Sequence, residues 1–149
     1  MSKPRYKWWG YVKNVIRAYP GLKQEYEDLH RQSVTANMSG MPGGGGVSRG
    51  TEDIATRELS KPKQMEYDAV RKTIEATERM RTGQDRMKLM SLVFWKQSHT
   101  LQGAAMAVNI SYDTAIDYHG DFIMMVAFFR DLITYEELKE HQKFALKSH

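Results

Sequence analysis

Residues 85–129 read DRMKLMSLVFWKQSHTLQGAAMAVNISYDTAIDYHGDFIMMVAFF, and the spacing within this stretch decides the fold. Met87, Met90, Val93, Phe94 and Gln97 recur at helical intervals, which predicts a first helix with one inward face. Thr100 stands where an N-cap is wanted, ahead of a short helix over residues 101–108. Gly103, Ala104, Ala105 and Ala107 are small enough there to let another helix come close. Asn109-Ile110 is expected to turn the chain, because Asn tolerates the left-handed conformation at a helix end. Ser111 is a second N-cap, and Asp113 falls in the first turn of the helix that follows. Ala115, His119, Phe122, Val126 and Phe129 then repeat at steps of four and three, marking a buried face. Two short helices across a tight turn, the second capped and longer, make a helix-turn-helix, the layout that places its second helix in the major groove of DNA. The same spacing also describes three ordinary packed helices.

Outward from this unit, the chain of 149 residues suits one small all-α domain with a loosely attached extra piece. Charged residues make up 27% and mean hydropathy is −0.61, as expected of a soluble, cytoplasmic protein. No apolar run resembles a signal peptide or reaches the length of a membrane span, so no membrane partner is expected. Cysteine is absent, which excludes disulfides, thiolate nucleophiles and thiolate metal sites. The net charge is only +4, but it is unevenly spread. Lys3, Arg5, Lys7, Lys13, Arg17 and Lys23 fall in residues 1–23 without an acid among them. Residues 100–138 carry Arg130 as their one base, against Asp113, Asp117, Asp121, Asp131, Glu136 and Glu137. A basic head and an acidic tail point to nucleic acid at the head, or to head-to-tail contact within or between chains.

Residues 1–32 are expected to form a basic, amphipathic helical segment. Trp8, Val12, Val15, Ile16 and Tyr19 mark its apolar stripe, Pro20-Gly21 ends the first helix, and a short second helix follows over residues 22–31. Lys7, Lys13 and Arg17 lie off the stripe. They read either as phosphate contacts or as a solvated face. Residues 33–50, SVTANMSGMPGGGGVSRG, predict a flexible linker. They lack the lysine and preceding strand of a phosphate-cradling loop. Residues 51–149 are then the helical domain that contains the helix-turn-helix. It opens with a short helix over 51–59 and a longer one from Ser60-Lys61-Pro62 to Met80, with Tyr67, Val70, Ile74 and Thr77 inward and Arg71 paired to Glu75 outward. Thr134 and Glu137 have capping-box spacing and start a final helix.

Catalysis finds little support. His30, His99, His119, His141 and His149 are scattered without metal-ligand spacing, and His119 reads as a core histidine. Asp113, Asp117 and Asp121 stand at i, i+4 and i+8, one ridge on the second helix of the unit. Such carboxylates can bind magnesium or move protons, but the one histidine near them, His119, lies on the inward repeat of the helix. Neither an enzyme nor a cofactor nor a metal is expected.

Trp8-Trp9-Gly10-Tyr11-Val12, Ile16 through Pro20, Glu66 through Val70 and Ile74-Glu75 resemble small phage-encoded transcriptional regulators of the RinA and ArpU kind. Leu92 through Lys96, Thr100-Leu101, Gly103 through Ala105, Ser111 and Phe122 are similar to their helix-turn-helix and to region four of sigma factors. The likeness covers most of the chain outside the glycine run. It implies a phage or prophage regulator that binds promoter DNA and activates late genes for packaging and morphogenesis. RNA polymerase of the bacterial host and a second copy of the chain are further partners to be expected of such a regulator. By resemblance Thr100 and Leu101 start the positioning helix, and Ser111, Tyr112, Asp113, Thr114, Asp117 and Tyr118 face the groove. The acidic ridge departs from that pattern, since sigma-like recognition helices carry arginine or lysine there. Phosphate contact then falls to the basic head and Lys96, and Asp113, Asp117 and Asp121 become a protein-docking ridge. The alternative is an assembly factor, such as a small-terminase-like packaging subunit or a polymerase-binding module.

Overall fold

A computed structural model describes residues 6–39 and 59–148, and among them every regular element is helical, as the apolar spacing predicts. The helices are α1 (Trp9–Ser39), α2 (Lys61–Glu78), α3 (Gly83–Met90), α4 (Leu101–Val108), α5 (Tyr112–Phe129) and α6 (Tyr135–Ser148). A wider π turn, Ser91–Trp95, prolongs α3. No described helix is long and apolar enough to cross a membrane.

α5 is the hub. Each residue from Gly120 to Ala127 is buried, so this helix is covered all round, and it packs against α1, α2, α3, α4 and α6. Ile123, Met124 and Val126 share one core with Val12 and Ile16 of α1, Val70 of α2, Leu89 and Met90 of α3, and Phe94 of the π turn. The N-terminal segment is therefore a wall of this core rather than a separate arm. A second, smaller cluster joins Leu22, Leu59 and Tyr67, with Tyr67 stacked between Tyr19 and Tyr26 at 5.7 and 4.8 Å.

The break expected at Pro20-Gly21 does not occur. α1 runs straight through it to Ser39, past residue 33 where the linker was expected to begin. Proline removes the amide that would bond the Ile16 carbonyl four residues back. Here the indole Nε1–H of Trp95 donates to that carbonyl at 2.8 Å. The freed acceptor is satisfied from another element, and the buried stripe of Val15, Ile16 and Leu22 carries the helix across. The glycine run and the short helix expected over 51–59 lie outside the described residues, apart from Leu59.

In α2 the first-turn Pro62 costs no hydrogen bond, and Tyr67, Val70 and Thr77 are buried as their spacing requires. The buried Thr73 hydroxyl donates to the Ala69 carbonyl at 2.8 Å, so it burdens the core with no unmet donor. Arg71 meets Glu75 at 2.9 Å on the outer face. α6 opens on the expected capping box. The Glu137 amide donates to Thr134 Oγ1 at 3.2 Å, and the Thr134 amide donates to Glu137 Oε1 at 3.3 Å.

Candidate nucleic-acid interface

α3 with its π turn, α4 and α5 form the tri-helical unit read from residues 85–129, and local chemistry fixes its corners. Thr100 Oγ1 accepts from the Gly103 amide at 3.1 Å and starts α4. Asn109 ends α4 in the left-handed region at φ 71°, and the Ile110 amide donates back to the Ala105 carbonyl at 3.0 Å. Ser111 Oγ accepts from the Thr114 amide at 3.1 Å and starts α5. Only Asn109, Ile110 and Ser111 separate the two helices. Ala104 and Ala105 are buried where α4 lies against its neighbours.

Gln97 departs from the inward face predicted for it. It is exposed with φ 50°, because the π turn shifts the helical register and the chain leaves the helix at Lys96. Lys96, Ser98, His99 and Thr100 are also exposed on this loop, and Ser98 Oγ lies 2.8 Å from His99 Nδ1.

The groove-facing candidates divide. Ser111, Tyr112 and Asp113 are exposed on the first turn of α5, while Thr114, Asp117 and Tyr118 are half-buried. Thr114 Oγ1 accepts from the Ser111 hydroxyl at 2.8 Å. Tyr118 has the Arg86 guanidinium 4.2 Å from its ring centroid, so one face of that ring is covered by protein.

Asp121 does not belong to an exposed ridge. It is buried at 8% exposure, with Oδ2 accepting from Arg86 Nη1 at 3.1 Å and Oδ1 3.4 Å from His141 Nε2. Arg86 Nε also donates to Thr82 Oγ1 at 2.8 Å. This carboxylate thus ties α3 to α5 and faces α6, and the exposed part of the predicted acidic ridge is reduced to Asp113 and the half-buried Asp117. α6 comes close at Gly120, where a Cβ would lie in ordinary van der Waals contact with the His141 ring at 3.5 Å. The helical spacing of residues 85–129 does not single out Arg86. A buried acid in an apolar run, Asp121 before Phe122-Ile123-Met124-Met125, was the available signal that a cation had to meet it.

Of the basic head, Lys3 and Arg5 lie outside the described residues, Lys7 and Arg17 are exposed, and Lys13 is half-buried. α1 carries Lys13 and Arg17 to the middle of α5, beside His119. That ring lies flat on Phe94, centroids 5.3 Å apart and planes 3° apart, with Trp9 6.5 Å away. Burial, then the charges of Lys13 and Arg17, lower the His119 pKa to about 4, so it is a neutral histidine inside the fold. No cluster of three or more metal-ligating side chains occurs among the described residues. No family model, no curated protein and no solved structure matches the chain.

Proposed function

We propose that this protein binds double-stranded DNA as a transcription regulator, with α4 positioning and α5 reading. One observation carries the reading: a three-residue turn through left-handed Asn109 joins two capped helices and leaves the first turn of α5 exposed at Ser111, Tyr112 and Asp113. A carboxylate at Asp113 can accept from a cytosine amino group, and the Ser111 and Tyr112 hydroxyls suit base edges or phosphate. Residues 101–129 contain no lysine or arginine, so cationic contacts to backbone phosphates must come from outside α4 and α5. Lys96 on the loop before α4 and Lys7, Lys13 and Arg17 of the head are the cations offered. Activation of late phage promoters, with host polymerase as partner, is the finer form of this proposal.

A gel-shift titration against the promoter region upstream of phage late genes, with a scrambled control, tests it at two salt concentrations. Binding that keeps its preference at the higher salt supports base or shape readout. Equal, salt-fragile binding to both fragments counts against it.

A second reading has its own observation. Met106 on α4 is 77% exposed and Tyr112 on α5 is 38% exposed, apolar surface on two helices without lysine or arginine. That suits a protein partner, as in a packaging or assembly subunit. A stable oligomer without sequence preference on DNA would favour it.

A further inference from the structure

Trp9, Lys13 and Arg17 stand at i, i+4 and i+8 on α1 and so form one row along its surface. The row runs over a platform of rings. Trp9 lies 6.5 Å from His119, His119 is stacked on Phe94, and the Arg17 guanidinium carbon is 6.0 Å from the Phe94 centroid. Arg17 Nη1 donates to Asn14 Oδ1 at 3.0 Å, which holds the guanidinium in place.

Lys13 and Arg17 share this spot without a counter-charge. Among the described residues neither forms an ion pair. Burial, and next the charge of Arg17, lower the pKa of Lys13. Like charges one turn apart disfavour a helix, and neither side chain belongs to the apolar core. Folding alone gives no reason to hold a half-buried Lys13 beside the exposed Arg17 with no carboxylate to meet either. An oxyanion between them supplies one.

We infer that Lys13 and Arg17 form a seat for a single backbone phosphate of duplex DNA, built on the Trp9–His119–Phe94 platform. The inference rests on the DNA-binding reading and deepens it, from a set of available cations to one built seat on α1. A phosphodiester carries one negative charge over two free oxygens, one for each cation. From Tyr112 to His119 the rise along α5 is about 10 Å. The major groove is about 12 Å wide. A seat that far along α5 from the first turn lies within one groove width of it.

The test is an anisotropy titration of the full chain against specific and scrambled duplexes over a range of salt. Wild type is compared with the double variant Lys13→Gln, Arg17→Gln, and with Lys13→Arg. The double variant is expected to bind both duplexes more weakly by the same factor. Its slope of log affinity against log salt should be shallower by about 0.9, one phosphate's worth. Lys13→Arg, which keeps the charge, should keep the slope. An unchanged slope in a double variant of native helicity overturns the seat.

Should wild type bind neither duplex, the DNA reading fails by itself, and the seat is tested with inorganic phosphate. Phosphate between the cations cancels their repulsion of His119, so its proton resonance should titrate at higher pH in wild type and not in the double variant. That result overturns the DNA assignment and leaves an anion seat standing. No phosphate effect on His119 overturns the seat as well.

Discussion

The indole of Trp95 donates to the backbone carbonyl of Ile16 at 2.8 Å, across 79 residues of chain. That carbonyl is the acceptor which an amide at position 20 would have used, and position 20 is proline. The π turn carries Trp95 there, so an irregularity in one helix answers an irregularity in another.

Trp95→Phe keeps most of the buried ring but orphans the carbonyl. It should lose about 1–3 kcal/mol in urea denaturation. Pro20→Ala returns the amide, so in the Trp95→Phe background it should recover about 1 kcal/mol of that loss. In a double-mutant cycle, additive losses would show that the two irregularities are unconnected.

Asp121→Ala leaves the Arg86 guanidinium half-enclosed without its carboxylate. A fully buried pair broken this way costs about 3–5 kcal/mol; residual exposure of both partners lowers the expectation to about 2–3 kcal/mol. Arg86→Met with Asp121→Leu removes both charges and should be closer to wild type than Asp121→Ala. If Asp121→Ala matches wild type in chemical denaturation, the pair is not what holds α3 to α5.

His119 gives a pH signature. Its folded pKa, lowered from 6.5 to about 4, means that the native state takes up a proton less readily than the unfolded chain. The stability due to this difference is complete above pH 6.5 and drains away as pH falls through the window down to about 4. The loss at pH 5 should be about 2 kcal/mol relative to pH 7. His119→Phe preserves a ring against Phe94 and should flatten the profile by that amount in urea melts at the two pH values. An equal loss in both proteins would place the titration elsewhere.

Gly83 sits at the corner between α2 and α3, where an added Cβ would lie 2.5 Å from the Thr77 carbonyl oxygen and 3.0 Å from that of Glu78. Helix propensity alone would make Gly83→Ala stabilising by about 1 kcal/mol. The clash is with backbone, which cannot swing aside, so the variant should instead lose about 1–3 kcal/mol. A raised melting temperature would refute the close approach.

What the sequence determined alone is what neighbouring residues decide among themselves. The all-α class follows from apolar spacing, because a helix needs one inward face and the pattern shows it. Thr100, Ser111 and Thr134 were legible as caps, and Asn109 as a left-handed end, because each acts on amides or dihedrals within four residues. Tertiary structure decided everything whose partner lies far along the chain. Pro20 reads as a stop until Trp95 supplies the missing donor. Asp121 reads as one step of an exposed ridge until Arg86, 35 residues earlier, draws it inward. Gln97 reads as inward until the π turn shifts the register. The nearness of Lys13 and Arg17 to Phe94 and His119 exists only because α1 packs on α5. Spacing reports which face of a helix is apolar; which charge or carbonyl meets that face is settled by the packing of other helices, where burial makes an unmet polar group too costly to leave.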